Sequence, residues 1–128
     1  MPADLLAAAG SAHDTILRPD LRAANRAALE PLMRLAQDDV ERALRYIEAL
    51  PAGAMRVRLF CVLPVLFAVA TMRELEQSDA MLVSGGGVKI SRAEVRALVI
   101  AGSTSTLTNR TLRWLVDRVR KRPFTFPA

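Results

Sequence analysis

The residues from Leu59 to Met72 read LFCVLPVLFAVATM, fourteen positions without a single charged side chain. They lie inside a predicted helix from about Ala54 to Gln77 that is apolar on every side. A helix of this kind needs apolar neighbours on all its faces, so we expect it to be the centre of the fold. Spanning a bilayer takes roughly 20 apolar residues. The stretch is therefore interpreted as a core helix, or at most as one that contacts a membrane.

Pro64 lies in the middle of this apolar helix. Proline has no amide donor and its ring clashes with the carbonyl one turn earlier. We therefore predict a bend at Pro64, with carbonyl groups near Phe60 that lack partners inside the helix.

Upstream of this helix, two more helical segments are predicted. Residues 2–9 form a short one, which ends where Gly10 can adopt the left-handed conformation. Residues 20–50 carry apolar side chains at the spacing of one helix face. Pro31 predicts a start or a kink near Glu30 in this segment.

Downstream, Ser91 and Glu94 have the spacing of a capping box and predict the start of a last helix that runs to about Lys121. The hydroxyl side chains of residues 103–108 compete for backbone bonds and weaken it locally. Three long helices and a short leading one are thus predicted, in a single domain of residues 1–128.

The composition supports this all-α class. Hydrophobic residues make up 52% of the chain and aromatic residues only 5%, a mixture that favours helix over sheet. Cys61 is the only cysteine, which excludes an internal disulfide and a cysteine-based zinc site. Because the start also lacks the pattern of a signal peptide, we expect a cytoplasmic protein.

The net charge is +5, and nearly all the basic residues are arginine, with lysine only at Lys89 and Lys121. Such a chain suits a diphosphate, an anionic membrane or nucleic acid. The alternative explanation is that the high arginine content reflects genome composition and has no functional cause. Nucleic acid is not expected, because the chain shows neither interleaved aromatic residues nor a helix-turn-helix signature. Peripheral contact with the inner membrane surface stays open.

Several motifs, taken in order, resemble the carboxy-terminal part of squalene and phytoene synthases. The apolar helix contributes RLFCVLP (58–64) and AVATM (68–72), and GVKISR (87–92) follows at the distance found in the squalene branch. Leu50-Pro51 and MPADLL (1–6) are similar to the segment after the second aspartate-rich motif of that family.

The resemblance implies a partial isoprenoid-synthase-type helical bundle around an apolar cavity. Family members join two prenyl diphosphates, such as farnesyl diphosphate, head to head, and squalene synthases reduce the intermediate with NADPH. Two DxxxD motifs hold Mg²⁺, which offsets the charge of the leaving diphosphate. The product (squalene, hydroxysqualene, dehydrosqualene or phytoene) stays open, although Val88-Lys89-Ile90 favours squalene.

The chain lacks the metal-binding motifs that are typical of the family. No Asp or Glu has a second carboxylate four residues later, so we expect both DxxxD motifs to precede Met1. The nearest cluster, Asp38-Asp39-Val40-Glu41, is interpreted as a solvated helix face. No metal ligand is predicted in this chain.

The resemblance assigns roles to five residues. Phe60 matches an aromatic residue of the cavity wall, where its ring stabilises carbocations, and Cys61 and Pro64 match positions beside it. Lys89 matches a residue that contacts the NADPH phosphate, and Arg92 replaces a second basic residue of the family with a shift of one position.

Three functions follow from these observations. The first is a part of a prenyltransferase that another polypeptide, or self-association, completes with the DxxxD helices. The second is a non-catalytic remnant. The third is a basic helical binding module.

Overall fold

The structure is a computed structural model that describes residues 1–127. These residues contain no strand and form the helices α1 (Ala3–Ala8), α2 (Arg22–Ala49), α3 (Met55–Gln77), α4 (Arg92–Ser105) and α5 (Asn109–Lys121). Two 3-10 turns lie at Pro19–Leu21 and Ala80–Leu82. The predicted all-α class is confirmed.

The central position of α3 is confirmed, because α2, α4 and α5 all pack against it. Its core-facing residues include Val62, Leu66 and Val69, which are almost completely buried. The prediction that α3 is buried on every side is wrong within residues 1–127. The side chain of Phe60 is 79% exposed, because the neighbouring helices lie on one side of α3 and leave its other face open.

Among the described residues, α3 is the one helix whose length and composition would allow it to cross a membrane. It carries a buried arginine near each end, Arg58 and Arg73. Both guanidinium groups bind protein acceptors in other helices, Arg58 in α2 and Arg73 in α4. These contacts, together with its three neighbours, fit a core helix of a bundle.

The prediction of three long helices is wrong, because the last one is divided into α4 and α5. The break falls at Thr106–Thr108, inside the hydroxyl-rich stretch that was expected to weaken the helix. Thr108 Oγ1 accepts a hydrogen bond from the Thr111 amide at 3.1 Å and caps a new helix. Local competition by hydroxyl groups thus ends one helix and begins the next.

The other predicted helix ends have mixed outcomes. Gly10 has a φ of 76° after α1, as expected for a left-handed helix end. The predicted start near Glu30 is wrong, because α2 continues through Pro31. Ser91 Oγ accepts from the Glu94 amide at 3.1 Å, but the carboxylate of Glu94 does not return to the cap.

The carboxylate of Glu94 instead binds Arg73 in the core. Two guanidinium nitrogens of Arg73 lie 2.9 Å from the two carboxylate oxygens, and each residue is only 2% exposed. Arg73 also donates to the carbonyl of Val119 at 2.8 Å, and Glu94 accepts from the amide of Phe124 at 2.9 Å. One ion pair therefore joins α3, α4, the end of α5 and the tail.

Arg58 has a corresponding role at the other end of α3. It donates to the carbonyls of Ile47 and Leu50 at 2.9 and 3.0 Å, where α2 ends. It also donates to the Thr106 carbonyl at 3.0 Å in the turn between α4 and α5. A cation is favourable at a helix carboxy terminus, where carbonyl groups lack helical partners.

We predict that Arg73→Met destabilises the protein by about 3–5 kcal/mol, because it leaves the carboxylate of Glu94 buried and unpaired. Urea unfolding measures the change. Arg42→Met is the matched control, since Arg42 is exposed on α2 and its replacement should stay within about 0.5 kcal/mol. Equal effects of the two substitutions would contradict the role given to Arg73.

A second prediction concerns the pH dependence of stability. The hydrogen bond from Arg113, at 2.8 Å, lowers the pKa of Glu41 below its ordinary value of 4.5, with only partial opposition from burial. A lowered pKa in the folded state stabilises the protein above the ordinary pKa, and this contribution is lost as the pH falls through the lowered value. The stability difference between wild type and Glu41→Gln should therefore be present at neutral pH and shrink in acid. A constant difference would refute it.

Candidate functional site

An open apolar groove of about 600 Å³ lies between α2 and the carboxy-terminal part of α3. Ligand sites in proteins commonly fall between about 300 and 1,000 Å³. The groove is lined by the apolar side chains Met1, Leu29, Leu32, Met33, Ala36, Met72, Leu75 and Met81. Its polar lining residues are Arg26, Glu30, Arg34, Gln37 and Glu76. This lining suits a long apolar ligand.

The wall from α2 follows from helical spacing. Leu29, Leu32, Met33 and Ala36 recur at intervals of three and four residues and so share one face. The sequence predicted this apolar face, but it did not predict that one part of the face lines a groove while the other part enters the core. Its later residues, from Val40 onward, enter the core, whereas the earlier ones line the groove.

The opposite wall comes from α3 and the following turn, through Met72, Leu75 and Met81. Hydrogen bonds hold this wall to α2. Arg26 donates to Asp79 at 2.6 Å and also binds the carbonyl of Glu76. Gln37 on α2 donates to the carboxylate of Glu76 at 2.6 Å.

Arg34 is the lining cation that makes no ion pair or hydrogen bond with residues 1–127, and it is exposed. A guanidinium group binds phosphate oxygens in pairs. The groove therefore combines an apolar surface with one available cation.

None of the three predicted cavity-wall residues lines this groove. Phe60 and Pro64 are exposed and Cys61 is partly buried. Phe60, Pro64, Phe67 and Thr71 nevertheless follow one another at helical spacing on a single face of α3. Four residues after Thr71 comes Leu75, which lines the groove. This face of α3 thus extends from the groove to Phe60, half-buried at Phe67 and Thr71 and exposed at Pro64 and Phe60.

The two residues predicted to bind NADPH lie elsewhere. Lys89 and Arg92 are both exposed and flank Ser91, the cap of α4. Neither contributes to the lining of the groove or pairs with a carboxylate of the described chain. Lys89 lies two residues before the cap and Arg92 is the first residue of α4, and their cofactor role stays a prediction.

The carboxylates do not fit a magnesium site of the DxxxD type. Within residues 1–127, no group of three or more His, Cys, Asp or Glu side chains is placed to hold a metal ion. In the nearest cluster, Asp39 pairs with Arg42 at 3.2 Å and Glu41 pairs with Arg113 at 2.8 Å. These acidic groups are engaged with arginines.

Fold and groove together define an all-α protein with an open surface for an apolar ligand. The chain belongs to the squalene/phytoene synthase family, which matches it over residues 1–94. The resemblance stated from the motifs is confirmed. No curated protein and no solved structure matches the chain.

The family match covers α1, α2 and α3, and hence both walls of the groove and Phe60. Members of this family are prenyltransferases, whose substrates are prenyl diphosphates. Most of α4 and all of α5 lie beyond the matched residues.

Sequence reasoning missed the groove itself. The available signal was the stretch from Leu29 to Ala36, which is as apolar as the rest of the α2 face. It is interrupted by Pro31, a helix breaker, and by Arg34, a charged residue. Only the position of α3 relative to α2 shows that the two helices leave an open groove along this stretch.

We predict that Phe60→Ala leaves the free energy of unfolding within about 0.5 kcal/mol of wild type, because the ring is exposed. The control is Leu66→Ala, which empties a fully buried site and should cost about 2–5 kcal/mol. Both are measured by urea unfolding. A loss at Phe60 as large as at Leu66 would mean that the ring is part of the core.

Proposed function

We propose that this chain provides the hydrocarbon-binding wall of a squalene-synthase-like farnesyl diphosphate farnesyltransferase. In this proposal the groove holds the isoprenoid chain of a prenyl diphosphate. The observation that carries it is an open apolar groove, continuous with the open face of α3, in a chain whose family acts on prenyl diphosphates.

The affinity for the hydrocarbon comes from burial of apolar surface. Each buried CH₂ group contributes about 0.8 kcal/mol, so a chain of several isoprene units gains affinity along the length of the groove. The methionines at positions 33, 72 and 81 suit this ligand, because their unbranched and flexible side chains adapt to irregular shapes.

The diphosphate end is assigned to Arg34. This side chain lines the groove and has no acidic partner among the described residues. Its guanidinium group would bind two phosphate oxygens at once. The ligand would then lie with its charged end at Arg34 and its chain along Leu29, Leu32 and Leu75.

Ionisation of the diphosphate is not assigned to this chain. That step uses divalent metal in the family, and the carboxylates described above do not fit the ion. We propose that carboxylates from outside these 128 residues supply it, on another polypeptide or a second copy.

Two further assignments rest on the family resemblance. Phe60 would line the apolar face beyond the groove, because it precedes Leu75 by 15 residues, about 22 Å along α3. It would therefore not lie over the carbons beside a diphosphate held at Arg34, and the family's carbocation role for its ring requires a prenyl diphosphate bound nearer to it. Its exposure leaves the ring free for such a contact. Lys89 and Arg92 would bind the phosphate of NADPH through two positive charges.

Titration with farnesyl diphosphate, followed by calorimetry, tests the groove. Ala36→Phe places a ring among the lining residues and should weaken binding at least about tenfold, a loss of roughly 1.4 kcal/mol. Ala27→Phe is the matched control, because Ala27 is exposed on α2 and lies on the opposite face, nine residues away. It should bind as wild type does.

The head group is tested by comparing farnesyl diphosphate with farnesol. Arg34→Gln should weaken binding of the diphosphate and leave farnesol binding unchanged, whereas Ala36→Phe should weaken both. The proposal would be contradicted, in favour of a non-catalytic remnant, if the wild-type protein bound neither ligand. Equal binding by Ala36→Phe and Ala27→Phe would also contradict it. Co-expression with a polypeptide that carries the DxxxD helices, assayed for farnesyl diphosphate consumption, tests the catalytic part.

A further inference from the structure

The positive charge of the protein is concentrated at one end of the sequence. Residues 1–105 contain 12 basic and 12 acidic side chains, whereas residues 106–128 contain six basic side chains and one acidic. The net charge of +5 therefore comes entirely from the segment that holds α5 and the tail. This segment lies beyond the residues matched to the family.

The geometry of α5 decides which of these charges face outward. Its apolar side is fully occupied, since Leu112, Leu115, Val116 and Val119 are buried in the core. The opposite side carries Arg110, Trp114, Asp117 and Lys121. We call these four residues the outer ridge of α5.

Two other arginines of α5 already have acidic partners. Arg113 binds Glu41 at 2.8 Å and also pairs with Glu48. Arg120 reaches Glu41 at 3.5 Å and Asp117 at 3.8 Å. The pairs with Glu41 and Glu48 attach α5 to α2, and Arg120 also lies near Asp117, the single acidic group of the ridge.

The remaining cations of the ridge are available to a ligand. Arg110 and Lys121 are exposed and make no ion pair within residues 1–127. Between them lies Trp114, with 61% of its surface exposed. Exposed apolar side chains continue beyond both ends of α5, at Leu107 and at Phe126.

We propose that the outer ridge of α5 binds the surface of an anionic lipid bilayer. Basic side chains are attracted to anionic head groups, and an indole ring favours the level of the head groups. The exposed apolar groups favour a bilayer over nucleic acid, because a phosphate backbone offers them no apolar contact. The helix would lie on the bilayer through its ridge, since its apolar side is already used in the core.

The chain contains a single tryptophan, Trp114, so its fluorescence reports on the ridge alone. Free protein should emit as a water-exposed indole does. Vesicles of phosphatidylcholine with phosphatidylglycerol should shift the emission to the blue and carry the protein upward in a flotation gradient. Vesicles of pure phosphatidylcholine should do neither, and salt should weaken the binding.

Arg110→Gln combined with Lys121→Gln should reduce the affinity for anionic vesicles about 25-fold, because each basic residue near the surface contributes roughly fivefold. The control with equal loss of charge is Arg42→Gln combined with Arg45→Gln on the exposed side of α2, which should bind within about twofold of wild type. Ala36→Phe should bind vesicles normally, since this proposal does not rest on the groove.

Equal binding to neutral and anionic vesicles, an unshifted Trp114 emission, or equal losses in the two double variants would overturn the proposal. A stronger fluorescence response to duplex DNA than to anionic vesicles at the same salt concentration would also overturn it, and would assign the ridge to nucleic acid.

Discussion

The ion pair between Arg73 and Glu94 determines where the parts of this fold meet. Buried charges are costly unless they are paired, and this pair is 2% exposed at both partners. The two side chains also satisfy a carbonyl of α5 and an amide of the tail. A well-packed apolar pair would stabilise the fold as effectively. What the charged pair adds is direction, because its hydrogen bonds are met in one arrangement of α3, α4 and α5.

This arrangement has a consequence for the groove. Arg73 immediately follows Met72 and precedes Leu75 by two residues, and those two side chains form the α3 wall. At the other end of α3, Arg58 binds the last carbonyls of α2. The two arginines thus hold the core-facing side of α3 at both ends. On the opposite face Phe60 and Pro64 stay exposed, and this face runs into the groove.

The sequence alone predicted the helical class, the central position of α3 and the family, because these depend on apolar periodicity and on motifs that are local in the chain. The division of the last helix was not predicted. Hydroxyl groups at 103–108 signalled weakness, but only the cap formed by Thr108 shows that a new helix begins there. Glu94 likewise has the spacing of a capping box, whereas its partner, Arg73, is 21 residues away in sequence. The groove depends on how α2 lies against α3, and neither helix carries that information by itself.

The central claim, that the groove binds an isoprenoid chain, can be tested at the residues themselves. The chain has five methionines, of which Met1, Met33, Met72 and Met81 line the groove while Met55 lies outside it. In protein labelled with ¹³C at the methionine methyl groups, addition of a non-hydrolysable farnesyl diphosphate analogue should shift the methyl resonances of the four and leave that of Met55 in place. Shifts confined to Met55, or no shift at saturating analogue, would contradict this account.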